Sequence, residues 1–229
     1  MSCFTDEFLN DLVRNIHAST HIKDVDTGKY VDANKINSAI FNLTPSEVIG
    51  LNIWDLDNLM KDNWDREFIP QVTDLENQII KDKITATHTK AFLTMSGVIR
   101  FQHMIKIPIC GVRGNVQRIF TTSENLVRNL DLLKLWDLYK QFYSNDIKSG
   151  IEKFLFQTGV NHLFTHLPTE AELMIIILNV VHKQPGSKYI ANITRVSPRT
   201  IDNHIAHIND KLLKDKTLLF TNMNVTDGY

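Results

Sequence analysis

The stretch Ser187–Leu212 reads SKYIANITRVSPRTIDNHIAHINDKL and predicts two helices joined by a tight turn. Ser187 can cap a short helix over Lys188–Ile193, because a serine hydroxyl satisfies free amides at a helix start. Thr194-Arg195-Val196 then forms the turn, and Ser197 is expected to cap the second helix in the same way.

The second predicted helix has one apolar and one polar face. Pro198 occupies its first position, where the missing N–H does no harm. Apolar side chains recur at helical spacing and form one buried stripe of Ile201, Ile205, Ile208 and Leu212. The opposite face carries Arg199, Asp202, Asn203, Ala206, Asn209 and Asp210. A short helix, a tight turn and a longer helix with small and polar residues at its start are typical of a helix-turn-helix.

A further helix is predicted upstream of this pair. Thr169 and Glu172 have the spacing of a capping box, and the apolar run Leu173–Val181 follows them. Pro185-Gly186 would end this helix. The chain from Leu167 onward is therefore predicted to be entirely helical.

Several spaced anchors in this region resemble the LuxR-type (NarL/FixJ-type) helix-turn-helix of bacterial transcription regulators. They are residues 187–191, the start of the second helix at 196–201, His204, Ile208 and the pair Lys211-Leu212. The resemblance covers roughly residues 167–222 and is specific because many anchors match at fixed spacing. It implies an all-α four-helix domain in which Lys216–Met223 is the fourth helix, used for dimerisation.

The resemblance assigns DNA binding to Lys188, Ser197, Arg199, Thr200, Asp202, Asn203, Ala206, His207 and Lys211. Lys188 and Arg199 would face phosphates, beside hydroxyls of Ser197 and Thr200 and the backbone amides of the helix start. Asp202, Asn203 and Ala206 would face the major groove. There Asn203 can pair with adenine, and Asp202 can accept from a cytosine amine. His207 would lie near the DNA backbone.

Three features depart from the family pattern. Arg195 stands where glycine is usual, which costs about 1 kcal/mol if the residue is left-handed. Asp202 occupies a site that is often basic, and the connection His182–Gly186 is a few residues longer than usual. Residues 183–216 hold seven Lys or Arg and three Asp, a net charge of +4, whereas the whole chain carries −1. DNA affinity would therefore depend on local basic residues.

The first half of the chain shows strand signals. Apolar and polar residues alternate over 85–94, 98–109 and 116–121, which predicts half-buried antiparallel strands. In the middle strand one face carries Phe101, His103, Ile105 and Ile107, and the other carries Gln102, Met104 and Lys106. Upstream, two short strands are predicted over His21–Val25 and Tyr30–Ala33, and helices over Ile36–Phe41 and Trp64–Ile80.

The order of these elements resembles a PAS domain over about residues 15–125. The shared features are the strand–turn–strand opening, Asn34, a short helix and the run Glu47-Val-Ile-Gly50. The resemblance implies an antiparallel sheet with flanking helices around a pocket that senses a signal, or a module for association. No cofactor is identified, because Cys110 lacks the setting of a flavin-binding cysteine and His88 and His103 lie on strands. The pocket is expected to be empty, to hold a small molecule or to be purely structural.

Residues 125–163 are predicted to be helical with a broad apolar face. Two alternatives are open: the segment packs against its own domain, or it is a dimerising connector. The predicted fold class is α+β, with a PAS-like sensor domain over 1–124, a helical connector over 125–163 and the helix-turn-helix domain over 164–229.

Other classes of protein find little support in the sequence. The 229 residues include two cysteines. We recognise neither a signal peptide nor an apolar run long enough to span a bilayer. Together these features predict a soluble cytoplasmic protein without membrane contact. The pairs His17/His21 and His162/His166 have zinc-ligand spacing but lack further ligands, so no metal site is predicted. No catalytic motif is recognised, so we do not expect an enzyme.

The expected function is a sequence-specific transcriptional regulator that senses a signal or partner through the PAS-like domain. It would bind its operator in double-stranded DNA as a homodimer. The alternative is a protein–protein interaction or signalling adaptor whose helix-turn-helix no longer binds DNA. Asp202 and the near-neutral charge of the chain favour that alternative.

Overall fold

The structure is a computed structural model that describes residues 6–60, 63–64, 67–213, 218–219 and 222–226. The chain divides into two compact units, Met1–Leu126 and Val127–Tyr229. The helices that the sequence assigns to a connector belong to the second unit.

The first unit contains a five-stranded antiparallel sheet with strand order β2-β1-β5-β4-β3. The strands are β1 (Ser19–Asp24), β2 (Tyr30–Ala33), β3 (Ala86–Leu93), β4 (Ile99–Cys110) and β5 (Val116–Asn125). The amino-terminal hairpin pairs with the last strand, so residues a hundred positions apart become neighbours, as Thr20 and Thr122 do. With its flanking helices this sheet is PAS-like, and the predicted α+β fold class is confirmed.

Helices cover this sheet. They are α1 (Asp6–Asn15), α2 (Lys35–Ser38), α3 (Pro45–Val48), α4 (Ile53–Met60) and α5 (Phe68–Asp82), with a 3-10 turn over Ala39–Phe41. The helix predicted from Trp64 begins only at Phe68, so Trp64 precedes it. Leu56, Trp64, Phe68, Val72 and Phe92 are among the residues of one apolar core. Leu9 and Val13 of α1 instead pack with Ile22 and Phe120.

In β4 the more polar face is the buried one, which is the reverse of what apolar character alone would suggest. The row Arg100, Gln102, Met104 and Lys106 is buried. The more apolar row is partly exposed, and Ile107 keeps 39% of its surface. These polar side chains are buried because α5 supplies a charge partner and the surrounding core residues form a cavity beside them.

The second unit is helical in its described part. Its helices are α6 (Leu132–Phe142), α7 (Ile147–Gln157), α8 (Glu170–Val181), α9 (Ser187–Thr194) and α10 (Pro198–Lys211). Trp136, Tyr139 and Phe154 are fully buried between α6 and α7. The Tyr139 hydroxyl donates to Gln157 Oε1 at 2.6 Å, so this buried phenol is satisfied. Half of the predicted fourth helix, Lys216–Met223, lies outside the described residues.

Candidate functional site

Helix α8 begins with the predicted capping box. Glu172 Oε2 accepts from the Thr169 amide at 2.7 Å, and Thr169 Oγ1 accepts from the Glu172 amide at 3.3 Å. The same carboxylate accepts from Lys211 Nζ at 2.7 Å, and its side chain is only 4% exposed. Burial alone would raise the pKa of Glu172, but these donors outweigh it and lower the pKa.

This ion pair changes the role expected of Lys211. The resemblance places Lys211 among the DNA-binding residues, but its ammonium is held by Glu172 at the end of α10. Removing a lysine from a buried carboxylate leaves that charge uncompensated, which disfavours release toward a phosphate. The ion pair attaches α10 to α8, and the DNA-binding role of Lys211 stays a prediction.

Helix α9 starts differently from the prediction. Its N-cap is Gly186, which has φ +85°, and Ser187 is the first helical residue. The Ser187 hydroxyl donates to the Asp202 carboxylate on α10 in a short hydrogen bond. Asp202 is therefore already engaged within the protein, and the bond joins the starts of the two helices.

The turn between α9 and α10 has the geometry of a tight connection. Arg195 is left-handed with φ +58°, at the position where the LuxR-type pattern that the sequence resembles usually has glycine. Ser197 caps α10 as predicted, its hydroxyl accepting from the Thr200 amide at 3.1 Å, and Pro198 follows at the first helical position. Ile201 and Ile208 are buried beneath the helix, as the apolar stripe predicts, while Ile205 and Leu212 are half-buried.

The remaining predicted residues lie on the surface of this helix pair. Lys188, Ser197, Arg199, Asp202, Asn203, Ala206 and His207 are exposed, and Thr200 is half-buried. Arg199, Asn203 and Ala206 recur at spacings of four and three, which places them on one side of α10. Their row begins in the first turn, where free backbone amides favour anions.

We expect Arg195→Gly to stabilise the second unit by about 1 kcal/mol, because glycine adopts the left-handed conformation without the steric cost of a Cβ atom. Chemical denaturation monitored by circular dichroism measures the change. Arg195→Ala is the matched control, since it removes the same charge but keeps the Cβ atom. An equal gain from both variants would attribute the effect to charge and contradict the conformational explanation.

A second candidate site is a cavity of about 50 Å³ inside the first unit. Aromatic rings form much of its wall: Tyr30, Phe41, Trp64, Phe68 and Phe92. Trp64 contacts the rings of Phe41, Phe68 and Phe92 at centroid distances of 5.8, 4.4 and 6.5 Å. Polar side chains of the sheet and of α2 also line the cavity: His21, Asn37, Gln102, Lys106 and Ser123. The rest of the wall is apolar: Ile40, Ile53, Val72 and Met104.

Three polar atoms in this wall are buried without a hydrogen-bond partner among the described residues. They are Asn37 Oδ1, Trp64 Nε1 and Gln102 Nε2. The residues that carry them are 5%, 8% and 3% exposed. A buried polar group without a hydrogen-bond partner costs roughly 1–3 kcal/mol, so native proteins rarely leave such groups unsatisfied. Three unsatisfied polar atoms on residues that line one cavity indicate a binding site for a polar ligand.

A buried ion cluster adjoins the cavity. Glu76 on α5 accepts from Lys23 on β1 and Lys106 on β4, both at 2.7 Å. Burial alone would raise the pKa of Glu76, but the two ammonium groups lower it to about 2. Lys106 faces the aromatic cavity, whereas Lys23 and Glu76 line a neighbouring polar cavity of about 300 Å³. The cluster therefore lies between two cavities.

His21 is a titratable group of the cavity wall whose position the sequence did not indicate. It lies on β1, in agreement with the strand predicted from His21, and it lines the aromatic cavity. Burial and the nearby Lys106 and Lys23 lower its pKa well below 6.5, so the ring is neutral at pH 7. Asn37 Nδ2 lies 3.2 Å from His21 Nδ1. The two groups are therefore within hydrogen-bond distance of each other.

We expect the free energy of unfolding to fall as the pH falls below 6.5. Below pH 6.5 the unfolded chain binds a proton at His21, whereas the folded chain does not. The free energy of unfolding therefore falls by up to about 1.4 kcal/mol per pH unit. His88, whose pKa burial also lowers, adds to this slope in the same direction. Denaturant titrations from pH 7 to pH 5 measure it. His21→Asn should flatten the slope, whereas the exposed control His17→Asn should leave it unchanged; equal slopes in all three proteins would contradict the assignment.

The other cofactor candidates lie elsewhere. Cys110 is exposed at the end of β4, and neither His88 nor His103 lines the aromatic cavity. Within the described residues no group of three His, Cys, Asp or Glu is placed to hold a metal ion. Among those residues, too, no helix combines the length and apolar character needed to cross a membrane.

The chain matches no family model and no curated protein. Solved structures show similarity to it. A Vibrio cholera VqmA–ligand–DNA complex is 15% identical with a TM-score of 0.45, over 95% of this chain and 85% of that one. The PAS domain of Bordetella pertussis BvgS is 20% identical with a TM-score of 0.46, over 59% and 96%. A PAS domain from Colwellia psychrerythraea is 13% identical with a TM-score of 0.41, over 50% and 91%. Likeness at this level does not transfer a function.

Proposed function

We propose that this protein is a non-enzymatic, DNA-binding transcriptional regulator that senses a small molecule in its PAS-like unit. The observation that carries the proposal is the exposed row Arg199, Asn203 and Ala206 at the start of α10. Ser197 caps this start, and the two buried isoleucines beneath it hold the helix in place. A capped helix that presents an arginine, an amide and a small residue suits entry into a major groove.

The basic residues around this row supply attraction to phosphate. Lys188, Arg195 and Arg199 are all exposed on α9, the turn and α10. Asp202 opposes them, but its carboxylate is engaged by Ser187. We infer that affinity rests on these three cations and the α10 amides, and that two copies of the chain bind together to reach operator affinity.

Sensing is supported by the unit at the other end of the chain. Its cavity has a largely aromatic wall, and three of the residues that line it carry buried polar atoms without a partner, which is the character of a small-molecule site. A purely structural core gains nothing from leaving such atoms without partners. We propose that an occupant of this cavity controls when the protein binds DNA.

Selection of duplexes from a random-sequence library by the full chain tests the DNA-binding role. We expect one sequence motif to be enriched and to bind with strong salt dependence. Arg199→Ala should lower the salt slope by about one unit. Arg113→Ala, an exposed arginine in the β4–β5 loop, is the matched control and should leave the slope unchanged. Recovery of random sequence only would favour the adaptor alternative.

A further inference from the structure

We propose that the aromatic cavity of the first unit accepts a small planar organic acid, bound as its carboxylate. This inference rests on the sensing role proposed above and adds the chemical class of the ligand. It follows from the charge of the buried cluster, the kind of polar atoms left without partners, and the shape of the wall.

The buried cluster carries an unbalanced positive charge. Lys23 and Lys106 are 6% and 4% exposed at their side chains, and they share the single carboxylate of Glu76. A charge removed from water without compensation is costly in a protein interior. An anion bound beside this cluster would balance the second ammonium group.

Lys106 is the cation that can reach such an anion. Its ammonium has three N–H donors. One donates to Glu76 at 2.7 Å and another lies 3.5 Å from Thr121 Oγ1, so a third remains. Lys106 lines the cavity, so we infer that a ligand inside it would accept from this third donor.

The orphaned atoms in the wall are mostly donors. Trp64 Nε1 and Gln102 Nε2 carry hydrogen and require an acceptor, whereas Asn37 Oδ1 alone requires a donor. With Lys106, three residues that line the cavity carry such donor groups. The two oxygens of a carboxylate can accept from all of them, because each oxygen has two lone pairs.

The wall also limits the size and shape of the ligand. A volume of about 50 Å³ holds only a few atoms; a buried water needs on the order of 15 Å³, and a benzene ring occupies a cavity of about 150 Å³. A flat aliphatic acid fits with little rearrangement, and a flat aromatic acid requires the rings of Trp64 or Phe68 to shift. Stacking on those rings favours a planar group.

Matched pairs of acid and amide test the charge directly, because the two members of a pair share one shape. Binding of acetate and acetamide, propionate and propionamide, and benzoate and benzamide to the full chain is measured by thermal shift and by titration of tryptophan fluorescence. We expect at least one carboxylate to bind at least tenfold more tightly than its amide. A preference for the amides, or no binding by either series, would overturn the inference.

Two variants assign the preference to the cavity. Lys106→Met leaves the balanced Lys23–Glu76 pair in place and should abolish the preference for the acid. Lys29→Met, an exposed lysine in the loop before β2, is the control and should preserve it. Gln102→Leu provides a second test without changing any charge, and it should weaken acid binding severalfold. An acid preference that survives both cavity variants would place the acid elsewhere and refute the inference.

The acid-binding experiments and the DNA-selection experiment can fail independently of each other. Enrichment of an operator sequence combined with an absent acid preference would refute the ligand class alone. An acid preference without sequence-specific DNA binding would refute the regulatory role and leave the ligand class standing.

Discussion

Glu76→Gln should lower the free energy of unfolding of the first unit by about 3–5 kcal/mol, the usual cost of removing one partner from a buried ion pair. The glutamine keeps the shape of the side chain but leaves Lys23 and Lys106 as two uncompensated buried cations. Amide hydrogen exchange of β1 and β4 measures the loss in the first unit itself, because exchange reports stability region by region.

Asp74→Asn is the matched control for this substitution. It makes the same acid-to-amide change two residues earlier on α5, where the side chain is exposed. We expect a change within about 0.5 kcal/mol for such a surface position. Similar exchange rates in Glu76→Gln and Asp74→Asn would show that the cluster does not hold the sheet to α5.

Asn203→Ala should reduce affinity for the selected operator by about 1–3 kcal/mol and relax the preference for one base pair. Its amide is exposed in the row of α10 that faces the proposed groove, so alanine removes base recognition without disturbing the fold. Fluorescence anisotropy on the operator and on its single-base variants measures both effects.

Lys188→Ala provides the contrast. This exposed lysine is proposed to contact phosphate, so its loss should weaken binding to all sequences alike and reduce the salt slope by about one unit. Asn209→Ala, an exposed asparagine later on α10, serves as a control for the general effect of removing an amide. Indistinguishable behaviour of Asn203→Ala and Lys188→Ala would contradict the proposed division between base and phosphate contacts.

Features set by local chemistry could be predicted from the sequence. Ser197 and Pro198 mark the start of α10, and the Thr169–Glu172 spacing marks the start of α8, because caps depend on residues within one helical turn. The strands were recognised by their alternation. The left-handed conformation of Arg195 could be anticipated only because the LuxR-type pattern usually has glycine at this position.

Features set by contacts between distant residues could not be predicted. Glu76 meets Lys23 and Lys106 across 53 and 30 positions, and nothing in the local sequence around any of them indicates the others. The buried row of β4 was therefore not recognised, since lysine and glutamine usually mark an exposed face. A charged residue within an otherwise buried strand is the signal that could have suggested a partner.

The same limit applied to the residues proposed to bind DNA. Lys211 matched a family position, yet its partner Glu172 lies 39 residues upstream. Ser187 looked like a cap, yet its hydroxyl bonds Asp202, 15 residues downstream. Both contacts join helices of the second unit, and the residues around Lys211 and Ser187 give no sign of either.

The ratio of affinities for the selected operator and for a scrambled duplex of equal length tests the central claim most directly. It is measured with the full chain at one fixed salt concentration, because salt alone changes affinity by orders of magnitude. We predict that the operator binds at least ~10³-fold more tightly, the lower end for specific regulators. A ratio near one, unchanged by Asn203→Ala, would contradict the claim that α10 reads DNA sequence.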